Sequence, residues 1–111
     1  KVRDEGLARL RAAGLDAVSQ DEFRRRTLEV KILDIPGHPR TGGSTWQSLM
    51  RGLSTTEADF LNGEIVLLGK LHGIPTPCNQ VLQKVANEMA RTGKRPGSMT
   101  LAELQQRLGE E

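Results

Sequence analysis

Hydroxyl, carboxylate and amide groups suited to handling a small acid gather in one stretch: Ser44, Thr45, Ser54, Thr55, Thr56, Glu57, Asp59 and Asn62. Their spacing places them at the starts of two expected helices. The first N–H groups of a helix have no partner inside it, so a carboxylate could rest there with the hydroxyls adding hydrogen bonds. The same residue types also cap helices without any further role, and capping is the simpler of the two readings. Other candidates give less. Gly63 and Gly69-Lys70 imitate a phosphate loop, but five residues separate the glycines where four are required, and they sit inside a helical pattern. Arg24-Arg25-Arg26 reads as solvated helix surface. Cys78 has no base beside it and reads as a small buried hydrophobe. His72 suits the negative end of a helix dipole and needs no other task.

The elements that must position these groups follow from periodicity and punctuation. Leu7, Leu10 and Ala13 give an amphipathic helix over 4–13, which Gly14 can end. Ser19 and Glu22 have capping-box spacing for a short helix through Arg26, and Leu28, Val30 and Ile32 then alternate as in a strand. Pro36, Gly37, Pro39, Gly42 and Gly43 make 34–43 a linker. Ser44 or Thr45 opens a helix to about Arg51, with Gly52 as its stop. Ser54 and Glu57 form a second capping box. Beyond it Ala58, Leu61, Ile65, Leu68 and His72 trace one helix face while Phe60, Leu67 and Leu71 trace another, which predicts a buried helix. Thr76 and Pro77 suit a cap and a first helical position, and Val81, Leu82, Val85 and Met89 repeat at helical spacing. Thr100 with Glu103 caps a last helix carrying Leu101, Leu104 and Leu108. The chain is expected to be mainly α.

The 111 residues suffice for one domain, 1–111, with one core. Residues 1–55 carry 10 basic and 7 acidic groups and residues 56–111 carry 6 and 7, so there is no basic arm or acidic tail. Phe23, Phe60 and Trp46 are the only aromatics, too few for base-stacking surfaces. Composition therefore argues against a nucleic-acid partner. A single cysteine excludes an intrachain disulfide, and His38 and His72 lack a second ligand at helical spacing, so a metal-free protein in a reducing compartment is expected. The longest apolar run, 65–68, is far short of the ~20 residues of a membrane helix. The chain starts at Lys1 with residues that read as the middle of a helix, so a fragment of a longer protein is expected.

Ser44-Thr45-Trp46, Thr56-Glu57-Ala58-Asp59, Asn62-Gly63 and His72-Gly73-Ile74-Pro75-Thr76-Pro77-Cys78-Asn79, in this order, resemble the C-terminal domain of the ketopantoate reductase family. Residues 42–90 carry most of the resemblance, and Glu5 to Ala13 is similar to the preceding family helix. Trp46 stands in place of the family's Met, Leu49 where Asp is frequent, and Ala58 in place of Ile. The resemblance implies a helical domain similar to the 6-phosphogluconate dehydrogenase C-terminal domain. It also implies the substrate and dimerisation half of a cytoplasmic enzyme that reduces ketopantoate to pantoate with NADPH. Glu57 would then be catalytic, supporting a lysine outside this chain, while Ser44 and Thr45 would bind the substrate carboxylate, Thr45 standing twelve residues before Glu57. NADPH would belong to an N-terminal Rossmann domain, because these residues contain no dinucleotide fingerprint. Alone the chain is expected to be inactive. The competing expectation is a helical interaction module that keeps the fold and carries no chemistry.

Overall fold

The computed structural model describes residues 1–27, 33, 35–38 and 42–110. Over these residues the protein is mainly α, with α1 (Val2–Ala12), α2 (Gln20–Thr27), α3 (Ser44–Met50), α4 (Ala58–Leu71), α5 (Pro77–Thr92) and α6 (Leu101–Gly109) in chain order. The strand expected over 28–32 lies outside the described residues. Among those described, the extended pairing is one isolated bridge between Ile35 and His38. No described helix is long and apolar enough to cross a membrane.

The core forms around α5 because its apolar residues recur every four positions. Val81, Val85 and Met89 are buried on one stripe with Ala90, and Leu49 of α3 joins them. Met99, Leu104 and Leu108 pack against this cluster from the last part of the chain. Pro77 starts α5 at a position where its missing N–H costs nothing, and Gly93 ends it at φ 66°, a left-handed conformation that suits glycine. α4 lies along α5, and α1 contacts both. The third expected capping box forms in full: the Glu103 N–H donates to the Thr100 hydroxyl at 3.2 Å, and the Thr100 N–H donates to Glu103 at 2.6 Å. Arg107 of α6 donates to Glu88 of α5 at 2.6 Å, and Lys94 joins at 2.8 Å. The hydrogen bonds from Arg107 and then Lys94 hold the Glu88 carboxyl down at about 2.

Local boundaries follow the sequence with small shifts. α1 begins at Val2 rather than Asp4, and Gly14 follows it with φ 70° as expected. Ser19 makes half of its capping box, accepting the Glu22 N–H at 3.1 Å. The Glu22 carboxylate does not return to Ser19, because it is held by Arg25 and Arg26, each at 2.8 Å.

The larger correction concerns α4, which is not buried on two faces. Ala58, Val66 and Gly69 are buried against the neighbouring helices, whereas Phe60 is 76% exposed and Leu71 70% exposed, with Leu61 and Leu67 also open. The physical reason is geometric: α1 and α5 both pack on one side of α4, and no described helix covers the other. The buried side is tight. A Cβ on Gly69 would lie 2.6 Å from the Ile74 carbonyl oxygen and 2.7 Å from Thr76 Cγ2. That approach, rather than phosphate binding, explains the glycine. Gly69→Ala is expected to lower stability by about 1–3 kcal/mol, since backbone must move to admit the methyl. Urea unfolding reads it, and an unchanged midpoint would show that the 74–76 turn yields freely.

Candidate functional site

Gly42 adopts φ +65°, and a Cβ there would collide with Trp46 at 2.5–2.8 Å. The indole therefore sits directly over this glycine and fixes how the chain enters α3. Gly43 occupies the N-cap position in an extended conformation, and Ser44 is the first helical residue. Ser44 is exposed and Thr45 is half-buried.

At the start of α4 the Ser54–Glu57 capping box does not form. Glu57 is itself the N-cap residue, with no side-chain cap bond. Its carbonyl accepts the N–H groups of Phe60 and Leu61, each at 3.0 Å, and the Thr56 hydroxyl accepts the Ala58 N–H at 3.4 Å. The Glu57 carboxylate is not used in the cap and faces α3. The Ser44 hydroxyl lies 3.5 Å from Glu57 Oε2 and donates to it. Ser44 and Glu57 are thus brought together, and Thr45 has no hydrogen bond to Glu57 among the described residues. Both members of the pair are solvent-exposed. A carboxylate beside a hydroxyl can orient a hydrogen-bonded ligand, but a dry, enclosed pocket there needs a second wall.

The remaining polar residues of the motifs do structural work that sequence reading missed. Asp59 accepts from Gln83 Nε2 and Asn87 Nδ2, each at 2.7 Å, which ties α4 to α5 and lowers its pKa through those two bonds. Asn62 donates to Asn79 Oδ1 at 3.0 Å. Asn79 is only 3% exposed and donates in turn to the Val2 carbonyl at 3.1 Å and to Glu5 at 2.8 Å. Thr76 occupies the N-cap of α5 without capping it by its side chain. The cap comes from α1: the Glu5 carboxylate accepts the Cys78 N–H at 2.8 Å and the Asn79 N–H at 3.0 Å. Burial raises the Glu5 pKa, but the bonds from Cys78 and Asn79 outweigh it, so the carboxyl is held below its ordinary value. The only available sequence signal was a helix beginning Thr-Pro-Cys-Asn with an acid in α1 that had no assigned partner.

Cys78 is buried and free. Burial, followed by the neighbouring Glu5, pushes its thiol up, so it remains a thiol at neutral pH rather than a nucleophile. His72 is exposed just after α4. Among the described residues no group of three or more His, Cys, Asp or Glu side chains is arranged to hold a metal ion.

The family model described as "Ketopantoate reductase PanE/ApbA C terminal" matches residues 1–90, leaving α6 beyond the match. Comparison with curated proteins and with solved structures returned no match. The match spans most of the chain and agrees with its mainly helical architecture; the chain belongs to the ketopantoate reductase C-terminal domain family.

Proposed function

We propose that these residues form the substrate-side domain of an NADPH-dependent, cytoplasmic reductase that converts ketopantoate to pantoate in the route to coenzyme A. The observation that supports this reading is the Ser44–Glu57 pair, 13 positions apart in sequence and within 3.5 Å in space. On binding, the Ser44 hydroxyl turns its single hydrogen from Glu57 to the carboxylate of the 2-keto acid, and the Thr45 hydroxyl donates beside it. Glu57 positions the cationic proton donor that polarises the keto group, a lysine outside this chain. NADPH does not fit the residues described here. Gly63 and Gly69, the interior glycines of α4, abut Gln83 and Thr76 and leave no backbone cradle for a pyrophosphate. The cofactor is therefore assigned to an N-terminal Rossmann domain, which also supplies the second wall that the open pair requires.

The test is to read the coding sequence upstream of the Lys1 codon and assay the protein it encodes. A frame that continues through a lysine-bearing helix back to Gly-x-Gly-x-x-Gly, with ketopantoate-dependent NADPH oxidation absent from residues 1–111 alone, supports the proposal. A start codon immediately upstream ends it. The observation favouring the alternative, a non-catalytic interaction module, is the exposed α4 face.

That face also underlies the homodimer in this proposal. Phe60, Leu67 and Leu71 share one stripe of α4, and an uncovered apolar stripe of this kind favours association. The sedimentation coefficient of residues 1–111 is expected to rise with concentration, and Phe60→Ser with Leu71→Ser to abolish the rise. A monomer at all concentrations would remove dimerisation from the reading.

A further inference from the structure

Arg9 of α1 is only 8% exposed, which is unusual for an arginine. One of its terminal nitrogens, Nη2, donates to the Pro75 carbonyl. Its Nε is sealed from solvent without an acceptor. No carboxylate lies within salt-bridge distance among the described residues. The nearest acid in α1, Glu5, already accepts the α5 N–H groups and Asn79. A buried cation without a counter-charge is costly, and such groups are ordinarily paired.

Arg9 lines a cleft of about 560 Å³ whose other walls include Ala8 of α1, Pro77 and Cys78 of α5, and Leu108 of α6. This size falls within the range of small-molecule sites. Three of these walls are apolar and the fourth is an uncharged thiol, while Lys1 adds a second cation at the rim. Of the two acids at the cleft, Glu5 is fully engaged, and the Asp4 side chain is 82% exposed, where water screens its charge. The cleft shares no lining residue with the Ser44–Glu57 pair.

We propose that this cleft binds a small monocarboxylate with an apolar body, its carboxylate pairing with the Arg9 guanidinium and its alkyl group packing on Ala8, Pro77 and Leu108. The binding supplies the counter-charge that the described residues do not, and it joins α1, α5 and α6 around one ligand.

The test is an NMR titration of residues 1–111 with sodium pivalate against sodium chloride at equal ionic strength. Pivalate is expected to move the Arg9 Nε–H resonance and the amides of Ala8, Cys78 and Leu108 saturably, with chloride without effect. Arg9→Met is expected to weaken pivalate binding at least tenfold. Should Arg9→Met not fold, Leu108→Asp, which places a like charge at the apolar wall, is expected to weaken binding in the same way. No saturable shift at Ala8, Cys78 and Leu108, or an unchanged affinity in the folded variant at Arg9 or Leu108, would each overturn the proposal.

Discussion

Glu5→Ala is expected to be among the most destabilising single changes in this protein, lowering the unfolding free energy by about 2–4 kcal/mol. The Glu5 carboxylate is the side-chain cap of α5, and it also receives the amide of Asn79, a residue 3% exposed. Truncation leaves two backbone N–H groups and one buried amide hydrogen without their acceptor, and unmet buried donors cost more than the bond that satisfied them gained. Glu5→Gln keeps one acceptor oxygen and should lose roughly half as much. The same contacts make stability pH-dependent. Because the folded pKa lies below the ordinary value of 4.5, the contribution is fully present above that value and is lost as pH falls through the folded pKa. Urea unfolding from pH 7 down to pH 3 reads this directly. The wild type should lose stability through the acid range faster than Glu5→Gln, and parallel pH profiles would show that the carboxylate is not the cap.

Glu57→Gln, in the protein that includes the dinucleotide domain, is expected to lower kcat for ketopantoate reduction by about 100-fold with little change in stability. A positioned acid–base partner contributes on the order of 10²–10⁴ in rate. The structural cost is small because Glu57 is exposed and makes no side-chain cap bond to α4. The amide retains an oxygen for the Ser44 hydroxyl but loses the charge that, in the proposed function, supports a cationic proton donor. Ser44→Ala should instead raise KM, since under the proposed function it removes a contact to the substrate carboxylate. Steady-state NADPH oxidation with urea unfolding of the same variants separates the two effects. If Glu57→Gln changed stability by ~1 kcal/mol and left kcat intact, Glu57 would be only part of a helix terminus.

Much of this protein is legible in its sequence because the signals involved are local. The spacing of Val81, Val85 and Met89, Pro77 at the start of α5 and Gly93 after its end specify that helix by rules spanning a few residues. The Thr100–Glu103 box specifies the start of α6 in the same way. The ordered motifs from Ser44 to Asn79 were also enough to indicate the family that the comparison shows. Tertiary structure decided what these residues touch. The cap of α5 comes from Glu5, 73 positions away from Cys78, and no capping rule reaches that far. Glu57 has capping-box spacing from Ser54, yet its carboxylate meets Ser44, because α4 begins at Ala58 and makes Glu57 the N-cap residue, where a capping box needs it at the third helical position. Gly69 resembles part of a phosphate loop on paper and is required by the Ile74 carbonyl in space. The apolar pattern of α4 suggested burial on two faces, but periodicity records only that a face is apolar. Whether the face is covered depends on where α1 and α5 pack, and that is set by the assembled helices.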